Sequence, residues 1–249
     1  MAYKIADLVF DLDVPSAGSH RLLAAYQSEE PAEVRITVGE AEIRREQAAS
    51  EETITAAYAE TLAVQRQLSD ALLEKGVLLF HGSAVAVDGL AYIFSAPSGT
   101  GKSTHARLWR ELLGERAVMI NDDKPFIRVG TPCVVFGSPW DGKHHLSQNT
   151  AVPLRAVCFL DRSAENQIRV LSPREALPRL LSQAYREEAV DRILPLVLRL
   201  ADSVSLYELR CNISRAAAEL SWNTLSGAGL TGGGEKAGAD PEAGNDDDI

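Results

Sequence analysis

Apolar residues along the chain predict short strands near the N-terminus. Residues 6–11 and 32–38 have the apolar content and alternation of strands, whereas residues 41–45 fit either a further strand or the start of a loop. Residues 51–75 carry apolar side chains at helical spacing and end before a glycine, which predicts a helix. We therefore expect residues 1–75 to form a small β-rich N-terminal lobe and a connecting helix.

The centre of the chain has the pattern of a mixed α/β core with a helical C-terminal part. Strands are predicted at residues 77–80, 83–87, 90–94, 117–121, 125–129, 133–136, 156–160 and 205–209, and helices at residues 173–186, 190–201 and 214–225. An Asp-Gly pair at 88–89 lies between two of these strands and is typical of a hairpin turn. We expect residues 76–225 to form this core.

Composition changes the picture mainly at the C-terminus. Residues 226–249 hold six acidic residues and one lysine, so about half of the net charge of −10 lies there. This segment has little apolar surface to bury, and we expect a disordered acidic tail. The rest of the chain shows no clustered excess of lysine and arginine, which argues against a nucleic-acid partner. Without a signal segment or a long apolar run, the sequence predicts a cytoplasmic protein with no membrane partner.

The most informative segment is residues 96–103, which read APSGTGKS and lie between a predicted strand and a predicted helix. They match a phosphate-binding loop except at Ala96, where glycine is usual and alanine is tolerated if its φ stays negative. In such a loop, backbone N–H groups face an anion, the lysine contacts the outer phosphates and a hydroxyl ligates magnesium. We therefore predict ATP and magnesium as ligands. The predicted nucleotide-binding residues are Ser98, Gly99, Thr100, Gly101, Lys102, Ser103 and Thr104.

Two adjacent carboxylates, Asp122 and Asp123, follow the predicted strand at 117–121. A phosphate-binding loop needs an acidic element at the end of a neighbouring strand, to hold the metal and to orient or deprotonate the attacking group. Two carboxylates permit a division of these roles between metal and acceptor hydroxyl. From these residues alone, either assignment of the two aspartates is open.

Residues 137–145, which read GSPWDGKHH, follow another predicted strand and concentrate side chains that are uncommon in a core. One interpretation is a solvated turn anchored by its tryptophan. We favour an active-site loop, because α/β folds place their ligands in loops at strand ends. The predicted metal ligands are Ser103, Asp123 and Asp141. The residues predicted to contact the acceptor or the phosphates are Lys143, His144 and His145.

The order of parts across residues 81–129 resembles the catalytic core of the HPr kinase/phosphorylase family and, more distantly, the ATP-binding core of phosphoenolpyruvate carboxykinase. These parts are a His-Gly pair, a hairpin, the phosphate-binding loop, a helix, a strand and the aspartate pair. The resemblance implies an α/β fold with a P-loop kinase core of HPr kinase type and a mixed sheet. It also implies that Lys102 and Ser103 serve phosphate and metal. The catalytic residues that it implies are Asp122 as acid/base, His81 and Asp123.

We therefore predict a phosphotransferase that moves the γ-phosphoryl group of ATP, with magnesium, to a hydroxyl acceptor, foremost a serine or threonine of a peptide or small protein. The chain is also similar to HPr-kinase-like enzymes that tailor ribosomal peptides, which makes a modified peptide one candidate acceptor. The sequence departs from the family at Ala96, after the aspartate pair and in the N-terminal lobe. A small-molecule kinase and a nucleotide-gated peptide-binding module with little turnover are the alternatives. A homo-oligomer and a donor other than ATP are left open.

Overall fold

The computed structural model describes residues 1–184 and 189–227. Its N-terminal part contains a three-stranded sheet of β1 (Ala2–Ile5), β2 (Leu8–Asp13) and β3 (Val34–Thr37), in which β1 is antiparallel and β3 parallel to β2. Three helices accompany this sheet: α1 (Ala17–Leu22), α2 (Glu40–Ala49) and α3 (Ala56–Glu74). The tail predicted at 226–249 lies outside the described residues except at its first two positions.

Residues 41–45 are helical, so our expectation of a strand or the start of a loop there was wrong. They belong to α2, where the Glu42 carboxylate accepts a hydrogen bond from the Gly39 N–H at 2.8 Å and so closes the first turn. Glu46 is buried on this helix and accepts a hydrogen bond from Arg66 of α3 at 2.6 Å. The N-terminal part is therefore α+β, because one capping pair and one buried ion pair stabilise a helix that has little apolar periodicity.

A second, mixed sheet occupies the centre of the molecule. Its strands are β4 (Val77–Leu79), β5 (Ser83–Val87), β6 (Leu90–Ser95), β7 (Ala117–Asn121), β8 (Phe126–Arg128), β9 (Val134–Phe136), β10 (Ala151–Arg162), β11 (Gln167–Val170) and β12 (Ser205–Cys211). Their order is β4-β8-β9-β10-β6-β5-β7, with β12 beside β10 and β11 beside β12. Strands β6, β10 and β12 are parallel to one another, whereas β5 is antiparallel to both β6 and β7.

Helices cover both faces of the parallel strands. They are α4 (Lys102–Leu113), α5 (Pro173–Ala184), α6 (Val190–Ser203) and α7 (Arg215–Leu225). Helices α4 and α7 pack with Tyr92 and Phe94 on one face of β6, and α5 and α6 pack with Ile93 on the other. The predicted mixed α/β architecture is confirmed, although β11 was not predicted and the last two residues of the predicted helix at 173–186 are not described. In 1–184 and 189–227, every helix is too short or too polar to span a bilayer.

This topology determines where loops can meet. The parallel strands β6, β10 and β12 end at the same edge of the sheet, and the turn after β7 lies two strands from β6 through the antiparallel β5. In open α/β sheets this edge is where ligands bind. The loop after β6, the turn after β7 and the loops after β10 and β12 are therefore the segments that can build a site together.

Candidate active site

The loop after β6 leads directly into α4, which begins at Lys102. Gly99 and Gly101 have φ angles of +76° and +125°, and a Cβ at either position would meet no atom within 4 Å. These glycines are therefore required for backbone conformation and not for space. Ala96, by contrast, is buried and is not among the residues with positive φ, so an alanine fits there without strain.

Lys102 lies along the inside of this loop and is mostly buried. Its Nζ donates hydrogen bonds to the backbone oxygens of Ala96 at 2.9 Å and Pro97 at 3.4 Å. Burial lowers the pKa of Lys102, and the nearby Asp123 carboxylate opposes that shift. The loop thus holds a cation at the N-terminus of a helix, where the helix dipole also favours negative charge.

Asn121, the last residue of β7, organises the turn that carries the aspartates. Its Oδ1 accepts hydrogen bonds from the backbone N–H groups of Asp123 at 2.9 Å and Lys124 at 2.7 Å. Its Nδ2 donates to the backbone oxygens of Ser138 at 3.1 Å and Trp140 at 3.2 Å. One buried amide therefore joins the aspartate turn to the loop 137–147. Our sequence analysis did not identify Asn121, although an asparagine before a turn is a typical signal of such backbone contacts.

Asp122 and Asp123 have different surroundings. Asp122 is buried, and its Oδ1 accepts a hydrogen bond from the Ser83 hydroxyl at 2.6 Å. Gly142 of the loop 137–147 lies against it, because a Cβ there would come within 3.0 Å of Asp122 Oδ2. The Asp123 side chain is 38% exposed. The first carboxylate is therefore held rigidly between β5 and the loop, whereas the second faces outward.

His81 lies beside the second carboxylate, with its Nε2 at 3.6 Å from Asp123 Oδ1. Its Nδ1 is 2.9 Å from Gln183 Oε1, which can only accept, so the neutral ring presents its Nε2 lone pair toward Asp123. Burial lowers the pKa of His81, as do the charges of Lys124 and Lys102. The following Gly82 has no room for a side chain, since a Cβ would lie 2.7 Å from Ile93 Cγ2.

The loop 137–147 contributes a third carboxylate, Asp141. Its side chain is nearly buried, with Oδ2 accepting from the Ser147 N–H at 3.2 Å and Oδ1 at 3.1 Å from His145 Nδ1. His145 itself has a φ of +49° and is mostly exposed. This histidine contacts Asp141 but does not line the cleft, whereas Lys143 and His144 line it together with residues of the loop 96–103.

These segments enclose one cleft of about 520 Å³. The residues that line it are His81, Ser98, Gly99, Gly101, Lys102, Ser103, Thr104, Asp122, Asp123, Asp141, Gly142, Lys143 and His144. Two residues of the predicted site do not line this cleft: Thr100, which faces a neighbouring cavity, and His145. The cleft combines Lys102, at the end of the loop after β6, and Lys143, on the loop 137–147, with three carboxylates, an arrangement suited to a polyanion and a divalent cation.

The oxygen atoms in the cleft fit magnesium, a hard cation that prefers carboxylates, hydroxyls and water. Ser103, Asp123 and Asp141 supply such atoms from three different segments. In the described part of the chain, no group of three or more histidine, cysteine, aspartate or glutamate side chains is arranged to hold a metal ion by itself. Magnesium is usually bound by one or two carboxylates together with substrate phosphates.

Arg162, at the end of β10, was also missed by our sequence analysis. Its guanidinium donates to the backbone oxygens of Gly99 and, at 3.3 Å, of Thr100. The arginine therefore holds the outer side of the phosphate-binding loop. Its role depends on β10 pairing with β6, so the local sequence around Arg162 carries no signal of it.

The chain is similar to one protein family and to solved structures of other proteins. The family model described as SynChlorMet cassette protein ScmC matches residues 46–223, which include every residue of the cleft. Among solved structures, the chain is similar to the HPr(Ser) kinase/phosphatase from Coxiella burnetii, with 8% identity, a TM-score of 0.36 and coverage of 61% of this chain and 91% of that chain. No curated protein matches the sequence.

Proposed function

The chain belongs to the ScmC family, and for this member we propose an ATP- and magnesium-dependent kinase that transfers the γ-phosphoryl group to a hydroxyl acceptor. One observation carries the proposal. A phosphate-binding loop, a helix N-terminus and three carboxylates from two other segments line the same cleft. Binding of a nucleotide alone requires the loop and the helix, whereas transfer also requires a buried, positioned carboxylate.

The loop and α4 bind the phosphates in this proposal. Backbone N–H groups of Gly99 and of residues 101–103 surround the anion, and the dipole of α4 adds positive potential at its first turn. Lys102 then exchanges its contacts with the Ala96 and Pro97 oxygens for contacts with the outer phosphates. Lys143 lies across the cleft and neutralises further charge.

Ser103 with Asp123 and Asp141 would hold magnesium next to these phosphates. When bound, the metal supplies charge that offsets the negative charge of the transferred group. The protein's own contribution is to fix these oxygen atoms. The Asp141 carboxylate accepts a hydrogen bond from the Ser147 N–H, and the Asp123 backbone N–H donates to the side-chain amide oxygen of Asn121.

Asp122 is the carboxylate that we assign to the acceptor. The Ser83 hydroxyl occupies one of its oxygen atoms, and the other faces Gly142 at the wall of the cleft. Asp122 takes the proton of the acceptor hydroxyl while the acceptor oxygen forms a bond to the γ-phosphorus and the bond to the β-phosphate breaks. The nucleoside diphosphate leaves. His81, neutral because burial lowers its pKa, can receive the proton at Nε2 beside Asp123.

The first acceptors to test are serine and threonine hydroxyls of peptides or small proteins, because the resemblance that the motif order shows is to protein-modifying kinases. We expect wild-type protein with radiolabelled Mg-ATP and host extract to label a peptide or protein. If a small molecule is labelled instead, the proposed peptide or protein acceptor is wrong, whereas the proposed phosphoryl transfer stands. Saturable Mg-ATP binding without any labelled product would favour the nucleotide-gated binding module.

The catalytic assignment is tested by Asp122→Asn, which keeps size and removes the base. We expect Mg-ATP affinity within about twofold of wild type and phosphoryl transfer lower by about 10²-fold or more. Asp123→Asn should instead raise the magnesium concentration needed for half-maximal transfer. Asp88→Asn, in an exposed turn whose φ of +51° asparagine tolerates, is the matched control. Transfer at the wild-type rate by Asp122→Asn would refute its role as base.

A further inference from the structure

A second cavity lies on the other side of the phosphate-binding loop. It has a volume of about 410 Å³ and shares Gly101 and Thr104 with the cleft described above. Its remaining walls come from Thr100, from α4, from the C-terminal ends of β10 and β12 and from the segments that follow these two strands, which lie on the side of β6 opposite to the aspartate turn. Its size is in the range of small-molecule sites, roughly 300–1,000 Å³.

The cavity walls are largely apolar. Leu108 of α4, Leu160 of β10 and Ala164 line it, and Ile213 stands at its rim. The Ile213 side chain is 76% exposed, although it belongs to the segment between β12 and α7. An apolar, planar group placed in the cavity would cover this isoleucine and would replace its contact with water.

Asn212 gives the cavity a polar edge of defined chemistry. Its Nδ2 donates to the backbone oxygen of Ala164 at 2.9 Å, and since that oxygen can only accept, the orientation of the amide is fixed. The Asn212 backbone N–H is also used, with Asn166 Oδ1 at 3.0 Å. Asn212 Oδ1 receives no hydrogen bond within the described ranges 1–184 and 189–227. It therefore offers an acceptor to a ligand that carries an N–H group.

Arg162 connects this cavity with the phosphate-binding loop. It lines the cavity, and its guanidinium also donates to the backbone oxygens of Gly99 and Thr100. Thr100, which does not face the phosphate cleft, lines the same cavity. A molecule that extends from one space into the other would thus pass along Gly101 and Thr104 while touching the residues that hold the loop in place.

We propose that this cavity binds the nucleoside of the phosphoryl donor, so that the donor is a nucleoside triphosphate whose base carries an exocyclic amino group, and not pyrophosphate or another inorganic polyphosphate. The base lies against Ile213 and Leu108 and donates from its amino group to Asn212 Oδ1. This inference rests on the proposed function, since it takes the phosphates to lie on the loop 96–103.

The test compares four ligands by calorimetry in the presence of magnesium: ATP, ITP, inorganic triphosphate and pyrophosphate. We expect wild type to bind ATP at least about tenfold more tightly than triphosphate, because only ATP fills the apolar cavity. ITP replaces the amino group of the base with an oxygen, so we expect it to bind about three- to tenfold more weakly than ATP. Equal affinity for ATP and triphosphate would overturn the proposal.

Variants distinguish binding in this cavity from binding in the phosphate cleft. Ile213→Ser should lower ATP affinity about fivefold and leave triphosphate affinity unchanged, whereas Val170→Ser, an exposed apolar position on β11, should change neither. Asn212→Ala should abolish the preference for ATP over ITP. A retained preference, or an Ile213→Ser variant with wild-type ATP affinity, would refute the assignment of the cavity. If wild type binds none of the four ligands, the proposed function fails together with this inference.

Discussion

Two histidines, one on the buried face of α4 and one in the cleft that its first turn faces, have lowered pKa values in different surroundings. The first turn of α4 faces the cleft, where Lys102 contacts backbone oxygens of the loop 96–103. Its opposite face is buried against β6 and α7, where His105 Nε2 and Trp109 Nε1 both meet the Ser221 hydroxyl, at 2.9 and 2.8 Å. Burial lowers the pKa of His105 to about 4 and also lowers that of His81 in the cleft.

The two histidines differ in their partners and not in the direction of the pKa shift. His105 packs against Phe94 and Ser221, and the Ser221 hydroxyl contacts His105 and Trp109 while it donates to the Ala218 oxygen, so the hydrogen bonding of this serine is complete. His81 lies between Gln183 and a half-exposed carboxylate, with Nε2 directed at Asp123. A lowered pKa therefore reflects burial in both cases, and what distinguishes His81, the histidine for which we propose a chemical role, is its open position beside a carboxylate.

The largest effect is expected on the buried face. Trp109 is fully buried, and its ring centroid lies within 4.9 to 5.4 Å of the rings of Phe94, Tyr92 and Trp222. Trp109→Ala should lower the free energy of unfolding by about 3–5 kcal/mol. Tyr58→Ala, at an exposed aromatic position on α3, should change it by less than about 0.5 kcal/mol. Denaturant unfolding measures both, and equal effects would contradict the packing described here.

The next effect concerns pH. His105 takes up a proton at about pH 6.5 in the unfolded chain but only at about pH 4 in the folded protein. Below pH 6.5 the unfolded state therefore binds more protons, and stability that is fully present above this pH is lost as the pH falls toward 4. The loss should approach about 3 kcal/mol.

His105→Gln supplies the comparison, because its amide can donate to Ser221 Oγ and does not titrate. Unfolding free energies of wild type and variant should converge or cross between pH 6.5 and 4. Parallel pH profiles would show that His105 does not titrate on unfolding.

The smallest of the three effects is expected on the cleft face. Lys102→Ala should weaken Mg-ATP binding about 100-fold, since it removes the loop's cation from the outer phosphates. Its free energy of unfolding should change by less than about 1 kcal/mol. Arg107→Ala is the control. It removes an exposed arginine that lies about one turn after Lys102 on α4 and contacts Glu111, and it should leave ATP affinity unchanged. Unaltered ATP affinity in Lys102→Ala, measured by calorimetry, would remove the basis for nucleotide binding.

The parts of the fold that could be predicted are those whose signals are local. The hairpin β5-β6, the glycine loop and α4 follow one another within residues 83–113, and spacing, turn residues and caps identify each. Strand β11 was missed because its four residues are mostly exposed, and it pairs only with β12, nearly forty residues later. Helix α1 has six residues and depends on the Ser16 cap and on packing against α3. Neither has enough periodicity to be recognised before its partner is known.

The same distinction applies to the candidate site. The predicted phosphate-binding residues 98–104 are consecutive, so a sequence motif suffices to propose them. Arg162 and the second cavity depend on which strands lie beside β6, and hydrophobic pattern does not specify strand order. His145 shows the reverse case: it was grouped with Lys143 and His144 by proximity in sequence, but its side chain is 82% exposed and does not line the cleft.

The amide of Asn121 has a mechanical consequence for the cleft. One of its atoms holds the backbone of the aspartate turn, and the other holds the loop that carries Asp141. The turn that bears Asp122 and Asp123 and the loop that bears Asp141 are thus linked through one buried side chain. Separating these two backbone segments would break hydrogen bonds of the Asn121 amide inside the protein, so the structure favours a constant distance between them.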